Sequence, residues 1–165
     1  MSSSRAVRLL SAVLTVSAAS CSLARDAGLA PTEPDRAALV GPMPPDEPAH
    51  VVVQHVLLSF DGTGVPAVTR SKADAQRLAT RVLDAARAGR EFADLVRLYS
   101  DERANEGLYE IANWGVAPGA TERERRGLVR GFGDAAFRLA PGEVTLIEYD
   151  PVASPFGWHV MKRVR

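Results

Sequence analysis

The sequence predicts an α+β domain with a small antiparallel or mixed sheet. Three observations predict it. A β-branched, apolar run opens at His50, two helical stripes follow it, and two short strand-like segments close the chain after a last helix. The 165 residues suffice for one domain of ordinary size with chain to spare. A composition of 46% hydrophobic and 24% charged residues is that of a globular chain.

Each element has a local reason. His50-Val51-Val52-Val53-Gln54-His55-Val56-Leu57-Leu58-Ser59-Phe60 lies between Pro48 and Asp61-Gly62 and reads as a strand buried on both faces. Strand periodicity puts His55 on the face of Val51, Val53 and Leu57. Ser71-Lys72-Ala73-Asp74 is a variant capping box, and Ala75, Leu78, Ala79, Val82, Leu83 and Ala86 form one helical stripe that Gly89 stops. A second helix is predicted over 91–99, with Phe92, Leu95, Val96 and Tyr99 on one face, and a short strand near 109–114. Residues 115–127 read as a loop whose charged run, Glu122 to Arg126, is a solvated surface with no site role. A short helix over 131–139 ends at Pro141-Gly142, and strands follow at 144–149 and 158–164.

The chain divides into three segments. In residues 1–20, Arg5 and Arg8 precede the apolar run Leu9 to Ser20. Its twelve residues would span about 18 Å as a helix, too short for a bilayer core of about 30 Å, and the pattern is that of a secretory signal peptide. Ala18-Ala19-Ser20-Cys21 resembles the lipobox of bacterial lipoproteins, in which cleavage leaves a lipid-bearing cysteine; Cys21 is the chain's one cysteine. Ordinary secretory cleavage with Cys21 incidental is the alternative. Residues 21–48 hold six of the eleven prolines and read as an extended, mostly disordered and flexible tether. Residues 49–165 are the folded domain. The whole chain has 20 basic and 20 acidic residues; without residues 1–20 it has 18 against 20, which argues against a nucleic-acid partner. One cysteine and three histidines imply no disulfide framework and no metal site.

Five pieces resemble one family in the correct order. Gln54-His55-Val56-Leu57-Leu58 resembles the opening strand of parvulin-type peptidyl-prolyl isomerases. Phe92-Ala93-Asp94-Leu95 with Tyr99-Ser100-Asp101-Glu102 is similar to that family's second helix and following loop. Leu128 to Phe137 resembles its M-V-x-x-F-x-D-A-A-F segment, Pro141-Gly142-Glu143-Val144 its P-G-E-V turn, and Ser154 to Lys162 its closing T-x-F-G-[YW]-H-I-I-K. The family's G-G-D-L-G is replaced by Glu106 to Gly115, and its pocket methionine by Leu128. The resemblance implies a parvulin-like (FKBP-like) four-stranded, mostly antiparallel sheet surrounded by about four helices.

The resemblance also implies an activity, peptidyl-prolyl cis-trans isomerisation without cofactor or metal. Leu128, Phe132 and Phe156 would line the proline pocket, and Phe137 would be core. His55 and His159 would form the floor of the site, acting directly or by keeping it in shape, with Ser154 joining their network. Glu102, or Asp101 beside it, would be the acidic group at the rotating carbonyl. The loop 61–68 has no Lys or Arg before Arg70, which argues against phosphate-directed selection. The expected partners are unfolded or partly folded exported proteins with X-Pro bonds, with membrane attachment only through the lipid. The alternatives are a catalytically weak parvulin-like chaperone or peptide-binding module of the cell envelope, and a structural envelope lipoprotein.

Overall fold

The computed structural model describes residues 45–102 and 104–165, so residues 1–20, Cys21 and most of the tether lie outside the described residues. Strand β1 (His50–Leu58) is the middle of the sheet. It pairs antiparallel with β2 (Leu108–Ala112) on one side and with β5 (Trp158–Arg163) on the other. Strand β4 (Val144–Ile147) joins β5 antiparallel, and the two-residue β3 (Arg123–Glu124) joins β2 in parallel. The order is β3-β2-β1-β5-β4.

Alternation along β1 feeds two separate cores. Val56 and Leu58 pack against α1 (Lys72–Arg87) and α2 (Phe92–Tyr99), with Ala75, Ala79, Val82, Phe92 and Leu95. Val51 and Val53 belong to the other core, with Ile111, Met161 and the Phe132, Ala136 and Phe137 face of α3 (Arg130–Arg138). The strand is therefore buried on both sides, as its unbroken apolar run predicts. At α1, the Ser71 side chain accepts from the Asp74 backbone N–H at 3.1 Å, the cap the sequence calls for.

The α+β class stands, with two differences in detail. Among the described residues there are three α-helices and two short 3₁₀ turns, rather than about four helices, and a fifth strand. That fifth strand, β3, lies inside the segment read as loop. Its two residues take strand form because β2 offers a free edge, a long-range cause that local composition does not carry.

The charged run is the larger correction. Arg125 is buried at 6% exposure and is not a solvated group. Its guanidinium bonds the Glu47 carboxylate, Asn113 Oδ1 at 2.9 Å and Asp134 Oδ1 at 2.9 Å, and stands over the Phe137 ring. These bonds supply the partners without which a buried charge would be too costly. They join the last residues of the tether, the end of β2 and α3 to the turn that leads into Leu128. Asn113 Nδ2 also donates to Glu47 at 3.1 Å and to the Pro48 carbonyl at 3.0 Å, so this end of the tether is fixed on the domain.

Candidate active site

His55 on β1 and His159 on β5 project to the α3 side of the sheet. They are not directly opposite: His55 faces Met161 and His159 faces Leu57, so the rings meet on a diagonal. Their Nδ1 atoms are 3.2 Å apart, and both residues are buried. Burial pushes His55 down to about 4 and His159 down to about 3, the second helped by the neighbouring His55 ring. Both are neutral near pH 7. A hydrogen bond between two Nδ1 atoms then requires opposite tautomers, one ring carrying its proton on Nδ1 and the other on Nε2. Neither Nε2 has a hydrogen-bond partner among the described residues. Glu102 Oε2 lies 3.5 Å from His55 Nε2, close but poorly aligned for a bond. A carboxylate there favours the proton on His55 Nε2, which assigns the Nδ1 proton to His159.

Glu102 is held firmly. Ser100 Oγ accepts from Leu57 N at 3.1 Å and donates to the Glu102 carbonyl at 2.7 Å. Asp101 N donates to the Leu57 carbonyl, while the Asp101 carboxylate accepts from Ser59 N and from Arg70. Asp101 thus fastens the loop to the end of β1, and the acidic group at the cleft is Glu102. Its other oxygen accepts from the Tyr109 hydroxyl. Burial, then the hydrogen bond to Glu102 and its charge, push Tyr109 up to about 12, so the hydroxyl remains a donor.

These residues line a cleft of about 180 Å³ with Arg123, Gly127, Leu128, Val129, Phe132 and Phe156. That is below the range of about 300–1,000 Å³ for drug-sized ligands and of the scale of one side chain. The rings interlock: His55 meets Phe132 edge-on at 4.9 Å and Tyr109 at 5.2 Å, and Phe132 meets His159 at 5.5 Å. Phe132 is at once core and wall. Phe156 is 45% exposed and forms a lip. Volume alone does not single the cleft out, since cavities of about 410 and 440 Å³ flank Trp114 and Arg125, but those lack the imidazoles, Phe132 and Phe156.

Two glycines allow this geometry. A Cβ on Gly107 would come within 2.3 Å of the His55 carbonyl oxygen, and one on Gly157 within 2.4 Å of that of Leu58. Both have positive φ. The chain can therefore press against β1 on either side of the site.

The structure places all eight residues that the resemblance assigns to the site. His55, His159, Glu102, Leu128, Phe132 and Phe156 come together in the cleft. Asp101 belongs to the adjacent clamp. Ser154 is buried, but its hydroxyl donates to the Gly157 carbonyl at 3.1 Å and to neither imidazole Nε2. It braces the turn that carries Phe156. Tyr109 and Arg123 line the cleft although the sequence reading gave them no part. Strand parity could have found Tyr109, which faces Val53 in the β1–β2 ladder, two residues from His55. Among the described residues, no three His, Cys, Asp or Glu side chains gather to hold a metal ion.

A central sheet with a small apolar cleft over paired neutral imidazoles defines a rotamase-type domain. The family model described as "Rotamase: PPIC-type PPIASE domain" matches residues 55–165, and the chain belongs to this parvulin family. It is 30% identical over 112 residues to the Chaperone SurA of Pseudomonas fluorescens Pf-5, covering 68% of this chain and 22% of that protein. It is 33% identical over 92 residues to the Chaperone SurA of Nitrosospira multiformis, covering 56% and 18%. The chain thus spans about a fifth of these relatives' length. Solved structures share the fold: ESS1 of Candida albicans, with TM-score 0.53, 19% identity and coverage of 71% and 63%, and TbPIN1, with 0.54, 17%, and coverage of 71% and 98%.

Proposed function

We propose that the chain is a peptidyl-prolyl cis-trans isomerase acting on exported proteins, and that Cys21 carries a lipid holding it to a bacterial cell-envelope membrane. The supporting observation is the convergence of two buried, neutral imidazoles and the Leu128, Phe132 and Phe156 wall on one small cleft.

The chemistry needs no heavy-atom bond to break. Resonance sets a barrier of about 18–20 kcal/mol to rotation, and X-Pro exchange takes tens to hundreds of seconds unaided. Catalysis requires only that the twisted imide bind better than either planar form. The proline ring sits against Leu128, Phe132 and Phe156. Glu102 faces the rotating carbonyl, with Tyr109 holding its carboxylate in place. The imidazoles form a floor that carries no charge and holds Phe132 and Glu102 in position; neither ring shuttles a proton. Asp101 and Ser154 brace the two loops that flank the cleft.

The test is proline-peptide exchange measured by NMR with the chain in catalytic amount. Acceleration that is lost in His55→Leu/His159→Leu is the expected result, and none from folded protein sinks the isomerase reading. The names of the curated relatives favour a second reading, a folding chaperone with weak turnover. It expects suppression of client aggregation that survives the same double replacement. Cys21→Ser should release the protein from membranes; continued attachment would sink the anchor.

A further inference from the structure

The arginines around the cleft differ in what they already hold. Arg70 is bound to Asp101, Arg125 to Glu47 and Asp134, Arg126 to Glu124, and Arg130 reaches Asp134 at 3.4 Å. Arg123 is the exception. Its backbone is fixed by the β2–β3 pairing opposite Ile111, yet its side chain makes no ion pair or hydrogen bond among the described residues. Its guanidinium stands over the Tyr109 ring, with Cζ 4.9 Å from the centroid, and it lines the cleft. A cation held by a ring face uses none of its five N–H donors. The cleft therefore presents a positioned, exposed guanidinium with its donors free.

We infer that Arg123 makes the site select an acidic side chain on the residue preceding proline. The inference rests on the isomerase reading for the placement of the peptide. With the ring on Phe132 and the rotating carbonyl at Glu102, the residue that owns this carbonyl lies on the Tyr109 side. Tyr109 bonds Glu102 through its hydroxyl and carries Arg123 on its ring, so Arg123 is next along that side. Glu102 is the inner charge, occupied by Tyr109 and turned toward His55 Nε2; Arg123 is the outer one. A carboxylate entering from solvent meets Arg123 first, and a Lys side chain there meets repulsion.

The experiment uses peptides that differ only before proline, carrying Glu, Ala or Lys. Binding is followed by amide shifts and turnover by exchange, each at low and high salt. The expected order of binding and kcat/KM is Glu, Ala, Lys, with about threefold between neighbours, the scale of an exposed ion pair. Salt should compress it. Arg123→Gln should collapse the order, Arg123→Lys restore part of it and Arg123→Glu invert it. Equal binding of the Glu and Lys peptides, or an Arg123→Gln loss shared by all three, would overturn the inference. Absence of turnover with the binding order intact would instead sink the isomerase reading and leave the selectivity standing.

Discussion

The two faces of β1 are built from neighbouring residues of one strand and differ in kind. On the α1/α2 face, Val56 and Leu58 meet aliphatic and aromatic side chains in a closed core. On the α3 face, the same strand contributes Val51 and Val53 and then His55, and the core opens into a cleft with two imidazole nitrogens that have no partner among the described residues. Buried polar groups without partners are rare, because each costs about 1–3 kcal/mol. Their concentration on one face marks where stability gives way to function. The other face compensates by ordinary close packing.

Three substitutions test that division, from the largest effect to the smallest. Arg125→Ala should cost about 3–5 kcal/mol, because it breaks a buried ion cluster, leaving Glu47 with only the Asn113 amide and Asp134 with only the longer contact to Arg130. Denaturant unfolding measures it, and a loss under 1 kcal/mol would show that the ion cluster is not integral to the α3 side. Leu95→Ala on the closed face should cost about 2–5 kcal/mol by transfer and cavity terms, with kcat per folded molecule retained; a fall in kcat matching the loss of stability would break the division.

The third is the histidine pair. His159→Leu alone strands His55 Nδ1 and should cost about 1–3 kcal/mol, whereas His55→Leu/His159→Leu removes both polar groups and should be nearly neutral. The pair also sets a pH dependence. Both rings have folded values below the usual 6.5, so between there and about 4 for His55 or about 3 for His159 the unfolded chain binds more protons. Stability is full above about 6.5 and falls as the pH drops through that window. Unfolding midpoints from pH 7 to pH 4 should decline more steeply for the native chain than for the double variant; parallel declines would locate the acid sensitivity elsewhere.

Most of the architecture was legible because its causes are local. The Ser71 cap, the α2 stripe, the β1 run and the Pro141-Gly142 stop each sit within a few residues of what they determine. The cleft was legible through the family's spaced motifs, which single out His55, His159, Leu128, Phe132 and Phe156, and the structure gathers these in one cleft. What escaped depends on distant partners. Arg125 looks like any surface arginine until Glu47 and Asp134 are brought to it. Arg123 reads as solvated until β3 docks on β2. The direction of the Ser154 hydroxyl is decided by a turn that closes on Gly157. Asp101 and Glu102, adjacent acids in the sequence, separate only when Arg70 claims the first.

The alternation of β1 also limits how this strand can change. Its odd-numbered Val51, Val53 and His55 lie on the cleft side, and its even-numbered Val56 and Leu58 lie in the opposite core. Substitution can retune either set, but loss or gain of a single residue ahead of His55 would exchange them. The imidazole would turn into the aliphatic side, and Val56 on a loss or Gln54 on a gain would take its place in the cleft. Length, more than identity, is what this strand has least freedom to vary.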